Sequence, residues 1–167
     1  MRLVALLIPC VLLACAEAPW IETAVSDLVP TTVTVTFAGI GPDVETAYVT
    51  VDADHRSRFE ATPSDDGTCD VVVWGLIPDT EYALEAGLVL DGRDEPLDTT
   101  WATTGPVPAD LPELLVDSPG DPLAGLVLTT LLAAPSAAVM VDAQGRYRWW
   151  HVLGDDDLTT NRAQLSQ

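Results

Sequence analysis

The stretch that decides the fold is GLIPDTEYALEAGLVLDG, residues 75–92. From Tyr82 onward, Leu84, Ala86, Leu88 and Leu90 recur at every second position. Successive side chains leave an extended backbone on opposite sides, so a period of two marks a strand with one buried face. Asp91-Gly92 then closes the strand with residues that tolerate the positive φ of a tight hairpin. The same pattern recurs upstream. Thr31 to Phe37 puts Val33, Val35 and Phe37 on one face and threonines on the other, and Ala47, Val49 and Val51 repeat it. After a turn at Ser64-Asp65-Asp66-Gly67, Cys69 shares a face with Val71 and Val73, and Thr99 to Thr103 makes a last strand. Residues 20–104 carry no helical period, and short alternating strands between turns predict an antiparallel β-sandwich.

Composition narrows the function classes. The chain has 167 residues, 48% of them hydrophobic, enough for one ordinary domain and part of another. Seven basic residues stand against 26 acidic ones, a net charge of −19 that repels phosphate backbones, so nucleic acid is excluded as a partner. The acids are scattered through turns and exposed strand positions, where solvation is their commoner role than calcium ligation. Asp155, Asp156 and Asp157 lack the Gly and Glu spacing of a calcium-binding loop. No metal or cofactor site is expected.

The N-terminus carries Arg2 and an apolar run from Leu3 to Ala14, too short to span a bilayer, which reads as a signal peptide over residues 1–14. Its end, Leu12-Leu13-Ala14-Cys15, resembles the lipobox of bacterial lipoproteins. That resemblance implies that Cys15 is acylated, becomes the mature N-terminus and holds the protein on membrane lipid through residues 15–19. An ordinary secretory signal cut near Ala16 or Ala18 is the alternative. Either way the protein is exported. On the lipoprotein reading Cys69 remains alone in the mature chain, without a disulfide partner. Its neighbours are acids rather than a base, which fits a small core residue and not a nucleophile.

The motif Gly75-Leu76-x-Pro78-x-Thr80-x-Tyr82 is similar to that of fibronectin type III domains. The resemblance covers residues 20–104 and implies a structural corner of Leu76, Pro78 and Tyr82: Leu76 packs inward, and the Tyr82 hydroxyl bridges two strands by bonding a nearby backbone carbonyl. Phe37 stands where that family usually has tryptophan. Such a sandwich names no function by itself.

Residues 105–112, Gly-Pro-Val-Pro-Ala-Asp-Leu-Pro, read as a semi-rigid polyproline linker. Residues 113–167 begin something else. Glu113 to Val116 and Leu126 to Leu132 look like strands, and Ala138 to Val141 and Arg146 to Val152 form a hairpin through Asp142-Ala143-Gln144-Gly145. The uncharged run Leu123 to Val141, followed by Arg146, Arg148 and two tryptophans, also fits a transmembrane helix. Pro135-Ser136, Gly125 and the turn after Val141 favour strands instead.

With Asp110-Leu111-Pro112 and Asn161 to Ser166, this hairpin resembles the entry to bacterial arylsulfotransferases, in which a small sandwich precedes a β-propeller. The resemblance implies sulfuryl transfer from phenolic sulfate esters to phenols through a sulfated histidine. Residues 113–167 suffice for about one of a propeller's four to eight blades, so the catalytic blades and the phenolic sulfate substrate belong to a longer parent. No catalytic residue is therefore assigned. His151 follows Trp149-Trp150 on the Trp149 face and reads as a structural, hydrogen-bonded imidazole, while His55, beside Arg56 and Arg58, reads as solvated. An unfinished blade should leave Leu128, Val139, Val141 and Trp149 exposed, promote self-association and admit protease near Pro106 to Pro112. The other function class is a non-enzymatic surface lipoprotein whose sandwich binds a protein or glycan through loops such as Asp52 to Arg58.

Labelled fatty acid fed to an expressing bacterium is expected to enter the native protein and not the Cys15→Ala variant. Equal label in both would remove the anchor from Cys15.

Overall fold

Strand periodicity becomes three sheets in the computed structural model, which describes residues 18–53, 56–115, 125–131 and 136–152. Among these residues the elements are β1 (Trp20–Val25), β2 (Val33–Ala38), β3 (Val44–Asp52), β4 (Arg56–Ala61), β5 (Thr68–Val73), β6 (Glu81–Leu90), β7 (Arg93–Thr103), β8 (Val127–Leu131), β9 (Ala137–Val141) and β10 (Tyr147–Val152). The protein is all-β, with no helix in the described residues, and none there that is long and apolar enough to cross a membrane. The described part of the run from Leu123 to Val141 accordingly carries β8 and β9 and no helix.

The first seven strands form the expected sandwich. A three-stranded sheet in the order β1-β2-β5 faces a four-stranded sheet in the order β4-β3-β6-β7, all pairs antiparallel. The core between them is the set of same-face residues read from the sequence: Val33, Val35, Phe37, Ala47, Val49, Val51, Cys69, Val71, Val73, Leu84 and Ala86 are all buried. Burying such aliphatic side chains contributes roughly 1.5–3 kcal/mol each against chain entropy. Asp91 and Gly92 both take positive φ, 50° and 68°, as a two-residue hairpin between β6 and β7 demands.

Four segments depart from the sequence reading. β7 begins at Arg93 rather than Thr99, because Pro96 sits opposite Gly87 beside a register shift on an edge strand, where a missing N–H costs no ladder bond. β1 and β4 went unread, since their faces are only half-buried. Residues 113–115 form no strand, and Leu115 is exposed.

The corner holds together as a unit. Leu76 is buried and Pro78 half-buried, while the Tyr82 hydroxyl accepts the Ile77 amide hydrogen at 2.9 Å. The hydroxyl therefore satisfies an N–H, not a carbonyl. The Ile77 carbonyl is taken by the Thr104 hydroxyl at 2.6 Å, so this loop keeps neither backbone group of Ile77 orphaned.

The third sheet, in the order β10-β9-β8, sits on a second core of Leu111, Ala137, Val139, Tyr147 and Trp150, with Val107 and Leu114 against it. The proline-rich stretch is thus more than a spacer: it supplies apolar side chains, and the Pro112 carbonyl accepts the Tyr147 hydroxyl at 2.7 Å. Val139, expected to be exposed, is completely buried for that reason, while Leu128, Val141 and Trp149 are partly covered.

A register shift between Tyr147 and Trp149 turns Arg148 inward, leaving it 2% exposed. Its Nε donates to Asp142 Oδ2 at 2.8 Å and its Nη1 to the Gly75 carbonyl at 3.1 Å, while the Thr31 hydroxyl donates to the Arg148 carbonyl at 2.8 Å. Arg148 therefore ties the third sheet to the sandwich. Asp142 also accepts from the Arg146 side chain and from the amides of Gln144 and Arg146. Burial pushes its carboxyl upward, but these donors outweigh burial and hold it below the usual carboxylate range.

Replacing Tyr82 by Phe strands the Ile77 N–H and should cost roughly 1–3 kcal/mol, read from the shift in denaturation midpoint. An unchanged midpoint would contradict the corner. Because the folded pKa of Asp142 is depressed, its stabilisation is complete above its unfolded value near about 3.9 and is lost as pH falls through the lower folded value. Amide protection in β8–β10, the exchange rate relative to its intrinsic value at each pH, should accordingly fall on acidification below about pH 4. Asp142→Asn should lower it at neutral pH, with a loss on the order of 3 kcal/mol, since Arg148 stays buried without a counter-charge.

Candidate functional site

Strand alternation aims one set of side chains from the four-stranded sheet into the core and the other set outward. Register aligns four of the outward ones in a single rung: Arg58 on β4 faces Thr50 on β3, Thr50 faces Glu85 on β6, and Glu85 faces Thr99 on β7. The neighbouring rung runs Glu60, Tyr48, Gly87 and Pro96. The short Thr50 and Gly87 on the central strands, beside the long Arg58 and Glu85, leave a trough on this face. Its cavity of about 620 Å³ is lined by Tyr48, Thr50, Arg56, Arg58, Glu85, Asp94 and Thr99, among others.

Tyr48 forms the floor. Although it points away from the core, it is only 7% exposed, because it lies across Gly87 and beneath the Arg58 guanidinium, 3.8 Å from its ring centre. A Cβ on residue 87 would collide with the tyrosine Cζ and Oη, so glycine is required there for steric room rather than for backbone freedom. Burial first, then the carboxylates of Asp94, Glu85 and Glu95, raise the phenol pKa against the opposing effect of Arg58. Tyr48 stays protonated at neutral pH.

Arg58 is fixed on three sides. Nη1 and Nη2 donate to Asp94 at 2.6 and 3.0 Å, and Nε donates to Glu60 at 2.6 Å. The Asp94 bonds above all hold the guanidinium protonated, and the same bonds hold Asp94 below its ordinary range. Arg56 pairs with Glu85 at 2.5 Å. Both ends of that pair are well exposed, so it contributes little to stability and is free to exchange partners. A second cavity of about 270 Å³, lined by Asp52, Thr80, Ala83 and Tyr82, shares Thr50, Arg56 and Glu85 with the first. The Arg56 and Glu85 pair thus stands between two adjoining hollows.

The remaining sequence candidates fall elsewhere. Cys69 is buried and free in the core, its thiol pushed up by burial and then by Asp70, which leaves it a packing residue. His151 is exposed and stacks on Trp149 with ring centres 6.4 Å apart; it shares the Trp149 face as read, but as a surface ring. Cys15, His55 and Asp155 to Asp157 lie outside the described residues. Among the described residues no group of three or more His, Cys, Asp or Glu side chains is placed to hold a metal ion.

The described residues of the loop expected from Asp52 to Arg58 are mostly strand, with Asp52 on β3 and Arg56 and Arg58 on β4. Sequence reasoning missed this. The signal was present in Arg56-Ser57-Arg58-Phe59-Glu60-Ala61, which alternates long charged residues with smaller or apolar ones. Comparison with protein-family models, with curated proteins and with solved structures finds no match, so the geometry alone carries the reading of this site.

Gly87→Ala should force Tyr48 out of its bed and cost about 1–3 kcal/mol of stability. In a Tyr48→Ala background most of that penalty should vanish, because the coupling is a direct contact. Equal penalties in the two backgrounds would place the clash elsewhere.

Proposed function

We propose that the chain is an exported, lipid-anchored β-sandwich module that binds a protein or glycan through the outer trough of its four-stranded sheet. The observation that carries this reading is the placement of the arginines. Within residues 20–104 the basic residues are Arg56, Arg58 and Arg93, and two of the three line one cavity in a chain of net charge −19. Alternation puts both on the outer face of β4, and strand pairing brings them against Glu85 on β6 and Asp94 on β7. A cavity of about 620 Å³ is within the usual range for a ligand site, about 300–1,000 Å³. The proposed anchor is membrane lipid on Cys15, supported by the Leu-Leu-Ala-Cys sequence.

A second reading makes the same chain the N-terminal region of an arylsulfotransferase-like protein, with a fibronectin type III-like sandwich leading into a β-propeller. Its support is the third sheet, whose strands follow each other antiparallel in chain order and whose leading edge leaves Leu126 and Val127 partly exposed, as a blade awaiting a neighbour would. Sulfuryl transfer would then depend on blades of the longer parent. The two readings are compatible, since the trough lies on the sandwich.

The trough is tested by filling it. Thr99 is exposed on an edge strand, so Thr99→Trp should fold normally while blocking the cavity. The full chain, displayed on beads, is expected to retain a component of cell-envelope polysaccharide or protein fractions that the Thr99→Trp chain does not. Equal retention by both chains, or retention by neither, would overturn the proposal.

A further inference from the structure

Resting on the trough reading, we propose that its ligand is a neutral oligosaccharide, laid across the sheet from Arg58 and Asp94 toward Thr80, with Trp101 as a stacking platform. The pairing of the trough's charges disfavours the two ionic alternatives. An anionic glycan or phosphate approaches a chain of −19, and it would have to displace Asp94 from a bidentate hold on Arg58. A cationic peptide is drawn to the net charge but finds Glu85 and Asp94 already held by Arg56 and Arg58, so it would have to break those pairs to be recognised. A neutral polar ligand meets neither obstacle.

The lining also has the hydrogen-bonding character of a sugar site. Every sugar hydroxyl donates and accepts at once, and adjacent hydroxyls present both roles within a few ångströms. Carboxylates of Glu85 and Asp94 accept, the guanidiniums donate, and the hydroxyls of Thr50 and Thr99 do either. Arg58 is already held in place by Asp94 and Glu60, so binding need not pay to order it.

Trp101 completes the arrangement. It is 61% exposed, the most exposed tryptophan of the described residues, and it lies two residues beyond Thr99 on the same outward face. Its cross-strand partner is Ala83, which lines the second cavity and is too short to screen the indole. A large exposed aromatic beside a polar hollow offers an apolar face to the C–H side of a pyranose ring. The two adjoining cavities, divided only by the exchangeable Arg56 and Glu85 pair, accommodate more than one ring in succession.

Calorimetric titration of the full chain in detergent with maltohexaose, cellohexaose, chitohexaose and mannohexaose tests the proposal, with a heparin hexasaccharide and hexalysine as charged probes. At least one neutral probe is expected to bind with an affinity nearly independent of salt, to lose about tenfold in Trp101→Ala and to keep most of its affinity in Trp101→Phe. Thr99→Trp should abolish it. Binding confined to a charged probe, binding indifferent to Trp101→Ala, or no binding of any neutral probe would overturn the glycan assignment. If Thr99→Trp still eliminates retention of an envelope protein in that last case, the trough reading stands and only the ligand class falls. If no binding depends on Thr99, both fall.

Discussion

The hydrogen bond from the Ile77 amide to the Tyr82 hydroxyl, at 2.9 Å, fixes the loop from which the rest of the described structure takes its bearings. Held there, the chain sends Leu76 into the sandwich core and starts β6 in register with β3 and β7. The other side of the same loop offers the Gly75 carbonyl to Arg148. Gly75 itself takes φ of 76°, which turns the backbone toward the third sheet. One short loop thereby serves the closure of the first core and the seating of the second.

Charge is distributed unevenly, and the unevenness has a physical rationale. The acids are mostly solvated, whereas four of the five described arginines stand at joints: Arg148 and Arg146 on Asp142, Arg58 on Asp94 and Glu60, Arg56 on Glu85. A planar guanidinium can grip carboxylate, carbonyl and aromatic face at once, which an ammonium cannot. At Arg148 the demand is strictest, since desolvating a cation is costly unless its surroundings supply acceptors. Asp142 meets that demand because the turn that presents it also folds two backbone amides onto its Oδ1.

Half of this was legible in the sequence. The sandwich core was, because Val33, Val35, Phe37, Val49 and Leu84 each occupy strands with one wholly buried face, and a period of two survives translation into text. Pro96 concealed the first half of β7, since only the observed edge position makes a proline there harmless. Arg148 was hidden by a bulge. Simple alternation gives no reason to bury an arginine between Tyr147 and Trp149, and the register shift that does so has no letter of its own. Val139 misled in the opposite direction, because the cover over it comes from Val107 and Leu111 in a stretch whose prolines advertise only extension. The trough was illegible for a further reason. Arg58, Thr50, Glu85 and Thr99 become neighbours only when four separate strands pair, so no local window contains the site.

Strand direction then gives the module an orientation. Trp20 pairs with Ala38, and Ala38 with Thr68, at one pole of the three-stranded sheet; Val25, Val33 and Val73 meet at the other, beside Thr31 and Gly75 where Arg148 docks. With the anchor proposed at Cys15, the chain from Cys15 to Trp20 can reach at most about 18 Å, which keeps the Trp20 pole near the lipid. A six-residue strand spans roughly 20 Å, so the third sheet is carried at least that far outward when the strands stand upright on the membrane. The trough opens on the flank between these poles, on a face that neither the lipid nor the third sheet needs to cover. On the proposed anchoring, the lipid and the third sheet would take the two ends of the strands and leave a side of the four-stranded sheet open to the proposed ligand, lying parallel to the membrane.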